Sequence, residues 1–269
     1  MRKIYSLLIL VLISFSVKSQ ADFTIGIGNT NSLGSGYPAP IQDFYEGSRA
    51  QYLYTASELL AAGIGPGIIS AIKIDVSSLG TFTGDIQDFT IGIGSTATSS
   101  LDLTQWEIGT VPIFGPIDYV PTIGTNVFVF STPFFWNGTD NLVVEICNGR
   151  DVDATVTTWT SNVICPMTSG LTFNGSHTYR ADNAGSLCAT SVVTNNGTAT
   201  TRPDMTFTWT SPTICSGTPT AGVTVSSKDT ICPSQKFILS TTGSTLGSGL
   251  TYQWDSSKNG INYFPITGA

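Results

Sequence analysis

Charge is what this chain has least of. Lys, Arg, Asp and Glu together make up 11% of its 269 residues, against roughly a quarter in an ordinary globular protein. Only 11 residues are Lys or Arg against 18 Asp or Glu, giving a net charge of −7 and a pI near 4.5. Nucleic acid is therefore excluded as a partner, because phosphate recognition needs clustered basic side chains. There is a single histidine, His177, and none of the five cysteines (Cys147, Cys165, Cys188, Cys215, Cys232) stands in C-x-x-C spacing. Metal-finger and thiol-redox arrangements are accordingly unsupported. The nucleophile turn G-x-S-x-G is missing, and with it the best local signature of a serine hydrolase. Helical periodicity is nearly absent, and no apolar run is long enough to span a bilayer.

What is present begins with a leader. Arg2 and Lys3 precede an apolar run from Leu7 to Val17, with small residues at Val17 and Ser19. This pattern is a secretory signal peptide over 1–19, cleaved between Ser19 and Gln20. No cysteine lies near it, which argues against a lipid-anchored form. About 250 residues follow (269 minus 19), enough for one large β-domain and a smaller one. With so few charges, the surface must be covered by Thr, Ser, Asn and Gly. The expected location is secreted, extracellular or on the outer cell surface.

Short β-branched and aromatic runs separated by Gly, Asn, Pro and Ser turns recur throughout, as in Ile69 to Val76, Thr125 to Phe130, Asn141 to Cys147 and Asp204 to Thr210. The fold class read from them is all-β. One helix is expected in YTASELLAAG, where Thr55 and Glu58 have capping-box spacing and Gly63 suits the left-handed terminating position. In the strand from Ile69, Ile72, Ile74 and Val76 share one face. The heptapeptide DFTIGIG occurs at Asp22 to Gly28 and at Asp88 to Gly94. The flanking sequences diverge, so it is no domain repeat. Neither copy has the third glycine or Lys-Ser/Thr pair of a phosphate loop. Both copies are read as strands with Phe23, Ile25 and Ile27, and Phe89, Ile91 and Ile93, on buried faces. The glycines then lie opposite, where another backbone comes close.

Two prolines and two glycines in SPTICSGTPTAG (Ser211 to Gly222) mark a junction. From there on, CSGTPTAG followed by DTICPSQKFILSTTGSTLGSGLTYQWDSSKNGINYFPITGA resembles the Ig-like modules of large Bacteroidota cell-surface proteins. That resemblance implies core positions for Cys232 and Trp254. It further implies that the later strands, and a cysteine partner, belong to a longer chain with more Ig-like repeats. The region from Gln20 to about Thr210 is similar to the amino-terminal β-domain of secreted Bacteroidota proteins, many of them type IX secretion cargo. The stretches that carry the similarity are GYPAP (Gly36 to Pro40), TASELLAAGIGPGIISAIKIDV, FSTPFFWNGTDNLVVEIC (Phe130 to Cys147), YRADN (Tyr179 to Asn183) and TRPDMTF (Thr201 to Phe207). The organisation expected is a jelly-roll-like β-sandwich over 20–211 with one short helix, a linker over 212–222 and a partial Ig-like β-sandwich over 223–269.

Candidate sites are few. Ser176, His177 and Asp182 could be assembled into a triad only by fold geometry, and adjacency gives no reason to expect it. Asp151, Asp153 and Asn148 offer hard oxygen atoms in a loop that suit Ca²⁺, although Asp and Asn are also ordinary turn formers. Trp106 and Trp136 are the candidates for a glycan platform, since sugar faces stack on exposed rings. The sequons at Asn137, Asn174 and Asn196 mean little in a bacterium, whereas Thr230 in DTI resembles a short O-glycosylation motif of that phylum. Cys147, Cys165 and Cys188 allow three pairings, of which Cys147 with Cys188 is preferred, leaving Cys165 as the odd thiol. The function expected is a non-catalytic binding, adhesion or spacer module of a larger protein, with a glycan or protein ligand and no cofactor beyond a candidate Ca²⁺. The alternative is an accessory region of a secreted hydrolase whose catalytic domain lies downstream.

Overall fold

A computed structural model describes residues 20–33, 36–42, 44–80, 84–149, 163–182, 185–212, 220–228, 230, 232, 237–245 and 253–266. Residues 1–19, Asp151 and Asp153, and residues 213–219 lie outside them.

The first part of the chain comprises β1 (Gln20–Ile25), β2 (Thr30–Asn31), β3 (Gly47–Tyr54), α1 (Ala56–Ala62), β4 (Gly67–Val76), β5 (Ile86–Thr96) and β6 (Val111–Tyr119). It continues with β7 (Gly124–Trp136), β8 (Asn141–Asn148), β9 (Pro166–Ser169), β10 (Ser176–Ala181), β11 (Thr201–Pro203) and β12 (Met205–Thr210). Antiparallel pairing builds a four-stranded sheet in the order β1-β12-β4-β7 and a five-stranded sheet in the order β10-β3-β8-β5-β6, with a small third sheet, β11-β9-β2. Ile72, Ile74, Phe128 and Phe207 of the first sheet share one buried cluster with Tyr52, Tyr54, Ile91, Val144 and Ile146 of the second. The two sheets therefore pack face to face, and the fold is an all-β sandwich.

Alternation explains most of this core. Ile72, Ile74 and Val76 are buried together, as their spacing requires. Ile69 joins the same cluster although it is three residues from Ile72, because the pairing with β12 slips between Ile69 and Ala71 and leaves Ser70 as an extra residue. In β7, Phe128 and Phe130 point inward while Val127 and Val129 face solvent. Phe128 sits among Phe89, Phe114 and Tyr119 at centroid distances of 5.5, 5.2 and 5.1 Å, within the range where aromatic pairs attract.

The two DFTIGIG copies diverge at their ends. In β5, Phe89, Ile91 and Ile93 are all buried, and a Cβ at Gly94 would fall 2.5 Å from the carbonyl oxygen of Gly109. Glycine there permits the expected backbone approach. In β1, Phe23 and Ile25 pack inward, but Ile27 is 75% exposed, which corrects the expectation for it. The strand stops at Ile25 because Gly26 turns with φ +135°, at a place where a Cβ would collide with the Asp204 side chain.

Helix α1 has the expected caps: Thr55 and Glu58 form a reciprocal capping box, and Gly63 closes the helix in the left-handed region. Glu58 also serves a second partner. The Arg202 guanidinium, 1% exposed, meets Glu58 Oε1 at 2.5 Å through Nη2 and Oε2 at 3.1 Å through Nη1. Nη1 donates in addition to the Leu53 carbonyl of β3, and the plane lies 4.4 Å from the Tyr54 ring. Burial raises the Glu58 pKa, but the bonds from Arg202 and Thr55 outweigh it and hold the carboxyl below its ordinary range.

Beyond the sandwich, β13 (Val223–Ser226) pairs with β14 (Leu239–Thr242), and β15 (Asp255–Ser257) with β16 (Tyr263–Pro265). Cys232 is exposed and Trp254 half-buried, so neither occupies the core position expected of it. Each hairpin has only two strands, too few to enclose a core of its own, and neither buried cluster reaches past Trp209 among the described residues.

Phe128→Ala is expected to cost about 3–5 kcal/mol, and Val129→Ala, on the exposed face, to stay within about 0.5 kcal/mol. Arg202→Met leaves the half-buried Glu58 carboxylate without its partner and should cost about 3 kcal/mol. Urea unfolding of each variant checks all three.

Candidate functional site

In β3 the residues Ala50, Tyr52 and Tyr54 face the core, which sends Arg49, Gln51 and Leu53 to the opposite face of the five-stranded sheet. That face is covered too. Leu53 and Val143 bury against Leu101, with Phe173 packed beside them. Next to this apolar row, register aligns His177, Gln51, Glu145 and Gly92 across β10, β3, β8 and β5. The following row aligns Tyr179, Arg49, Cys147 and Thr90. A low-charge chain thus places an arginine, a glutamate, a glutamine and its one histidine together under loops.

Each of these groups is hydrogen-bonded. Glu145 Oε2 accepts from Arg49 Nη2 at 2.7 Å, Arg49 Nε at 3.1 Å and Gln51 Nε2 at 2.7 Å. Arg49 Nη1 donates to the Thr190 carbonyl at 2.7 Å. The Gln51 amide also pairs with the backbone of Glu107, donating to its carbonyl at 2.8 Å and accepting from its N–H at 2.9 Å. The Glu107 carboxylate is in turn fixed by the hydroxyls of Thr96 and Thr98 at 2.9 and 2.7 Å. Buried polar groups are stable only when satisfied in this way.

Trp106 lies over the network. Its ring stacks on His177 at 4.0 Å and 14°, the Arg49 guanidinium is 4.4 Å from its centroid, and Nε1 donates to the Val192 carbonyl at 2.8 Å. His177 Nε2 pairs with the Val193 carbonyl at 3.0 Å. The disulfide Cys147–Cys188, 41 residues in separation, ties the 185–200 segment to β8. This is the preferred pairing, and Cys165 remains a buried free thiol pushed up to about 12 by burial and by Asp75. Beside the network lies a cavity of about 310 Å³ with Arg49, Glu145, Ile108, Thr110, Pro112 and the disulfide in its walls.

The expected sites fare differently. Trp136 is fully buried, with Nε1 donating to the Asp140 carbonyl at 2.8 Å; as the last ring of three in β7 it turns into the core, so it is no glycan platform. Trp106 is half-buried with its ring engaged by His177 and Arg49. Asn148 is buried, and its Oδ1 accepts from Gln42 and Ser48 at 2.9 and 2.6 Å, which makes it an internal tie. No group of three His, Cys, Asp or Glu suited to a metal occurs among the described residues. Ser176 and His177 are neighbours on one strand and point to opposite faces. The Ser176 hydroxyl lies 2.7 Å from the Thr201 carbonyl and 3.0 Å from that of Thr198, and Asp182 is exposed. Strand alternation therefore separates the would-be triad. Thr230 is exposed.

Sequence reasoning missed Arg49, Gln51 and Glu145. The signal was there: Glu145 interrupts the apolar run LVVEIC, and Arg49 and Gln51 alternate with core residues in SRAQYLY.

Burial lowers the His177 pKa, and Arg49 adds to this, against the opposing pull of Val193 and Asp102. The unfolded chain therefore takes up this proton first as pH falls through about 6.5, and folded stability drops from there downward. Above that pH the contribution is fully present. Urea midpoints across pH 5 to 8 should fall on the acid side, and His177→Gln should flatten that limb. The chain matches no protein-family model, no curated protein and no solved structure.

Proposed function

We propose that this protein is a secreted or cell-surface, non-catalytic binding and adhesion module, part of a larger multidomain protein of the kind its sequence resembles. One observation carries the reading. Two segments without regular structure, 97–110 and 185–200, are fixed over one face of the sandwich by a disulfide, an indole and a row of polar side chains. Long loops without secondary structure are uncommon unless they do something, and binding residues concentrate on loops held by a rigid scaffold. Pre-organised loops reduce the ordering cost that binding would otherwise incur.

The residues that could do chemistry support the same reading. Glu145 Oε2 already accepts three hydrogen bonds, both Glu107 oxygens are held by threonines, and His177 faces a backbone carbonyl beneath Trp106. A base must reach its substrate's proton; Glu107 and His177 are committed to holding loops, and Glu145 Oε2 to fixing Arg49 and Gln51. The leader pattern and the disulfide suit an oxidising, exported setting.

Binding of the purified chain to immobilised glycans and extracellular-matrix proteins, run beside a broad hydrolase substrate panel, tests the proposal. Retention without turnover is expected, with Trp106→Ala weakening it by about tenfold or more through loss of loop order. Turnover that disappears in His177→Gln would overturn it.

A further inference from the structure

The cavity beside the Arg49–Glu145 pair has unused hydrogen-bonding capacity of both signs. All three bonds that Glu145 accepts go to Oε2, and Oε1 accepts none from the described residues. Arg49 spends Nε, one N–H of Nη1 and one of Nη2; a guanidinium has five N–H donors, so two remain. The Thr110 hydroxyl has no partner among the described residues, while Ile108 and Pro112 give the cavity apolar wall. Its volume of about 310 Å³ stands at the small end of ligand cavities, about 300–1,000 Å³.

Charge decides the ligand class. An anion drawn to Arg49 meets the Glu145 carboxylate 2.7 Å from that guanidinium, and a cation drawn to Glu145 meets the guanidinium. Either ion pays for desolvation with only partial compensation. A hydroxyl escapes the conflict because it donates to a carboxylate and accepts from a guanidinium. Adjacent hydroxyls on one ring can use both groups at once, and the C–H face of that ring suits Ile108 and Pro112.

We propose that this cavity binds a neutral polyhydroxylated ligand of monosaccharide size, with Glu145 and Arg49 engaging vicinal hydroxyls and Thr110 adding a third polar contact. The inference rests on the binding-module reading above and assigns that module a ligand class and a place.

The test is an amide NMR titration of the full chain with neutral methyl glycosides of glucose, galactose, mannose and N-acetylglucosamine, beside glucuronate, glucosamine and sodium sulfate. At least one neutral glycoside should shift the resonances of Gly92 and of residues 107–110 at millimolar concentration, with glucuronate and glucosamine weaker by about tenfold. Glu145→Gln should weaken binding about tenfold. Thr110→Tyr, which fills the cavity and leaves the ion pair in place, should abolish the shifts in a chain whose other resonances are unchanged. Sulfate or glucuronate binding as tightly as the neutral glycosides would overturn the inference, and so would shifts that persist in Thr110→Tyr or a folded wild-type chain that no glycoside shifts. Retention on immobilised glycans that Thr110→Tyr leaves intact would sink this site alone; loss of both signals in the wild type would sink the module reading with it.

Discussion

The Arg202 guanidinium is the joint around which the sandwich is arranged. It is buried, so its charge requires a counterion and its N–H groups require acceptors. Glu58 supplies the first and the Leu53 carbonyl one of the second. Because Glu58 also completes the capping box, the start of α1 is pinned to β11 through one carboxylate. The same plane lies against Tyr54 of the main core and 5.8 Å from Phe173 beside the second cluster. One cation thereby links a helix, two sheets and both apolar clusters, and its two-pronged geometry is something lysine could not reproduce.

A second constraint follows from covering both faces of the five-stranded sheet. An antiparallel sheet commonly leaves one face wet, where Arg, Gln and Glu would need no partners. Here loops lie on that face, so the same side chains must satisfy one another. The result is a set of charged groups held by cross-strand register on one side and by loop backbone on the other. Such a layer combines a fixed shape with polar side chains.

Local chemistry was legible in the sequence. The period-2 pattern gave the strands, Thr55 and Glu58 gave the helix start, and Gly63 gave its end. Partnerships across distance were not. Arg202 and Glu58 are 144 residues apart, and Arg49 and Glu145 are 96 apart. Nothing in either strand names the other. Ile27 misled because Gly26 ends the strand by its φ, which the repeated heptapeptide conceals. Trp136 misled because a run of three aromatics does not say which ring turns inward. The stretches GYPAP and YRADN, far apart in sequence, meet where Arg180 lies 4.3 Å from the Tyr37 ring. TASELL and TRPDMTF meet at Glu58 and Arg202.

The position of Cys165 bears on how the chain matures. It stands between Cys147 and Cys188, so the nearest-neighbour pairing, 147 with 165, would close the shorter loop, with 18 residues of separation (165 minus 147) against 41. In an unfolded chain the shorter loop is the easier one to close. In the folded protein Cys165 lies in the core with its thiol hard to ionise, and thiolate is the form that reacts. Once the core has formed, burial thus makes Cys165 a poor competitor for Cys147, and Cys188 is the partner left to make the bridge that holds the loops.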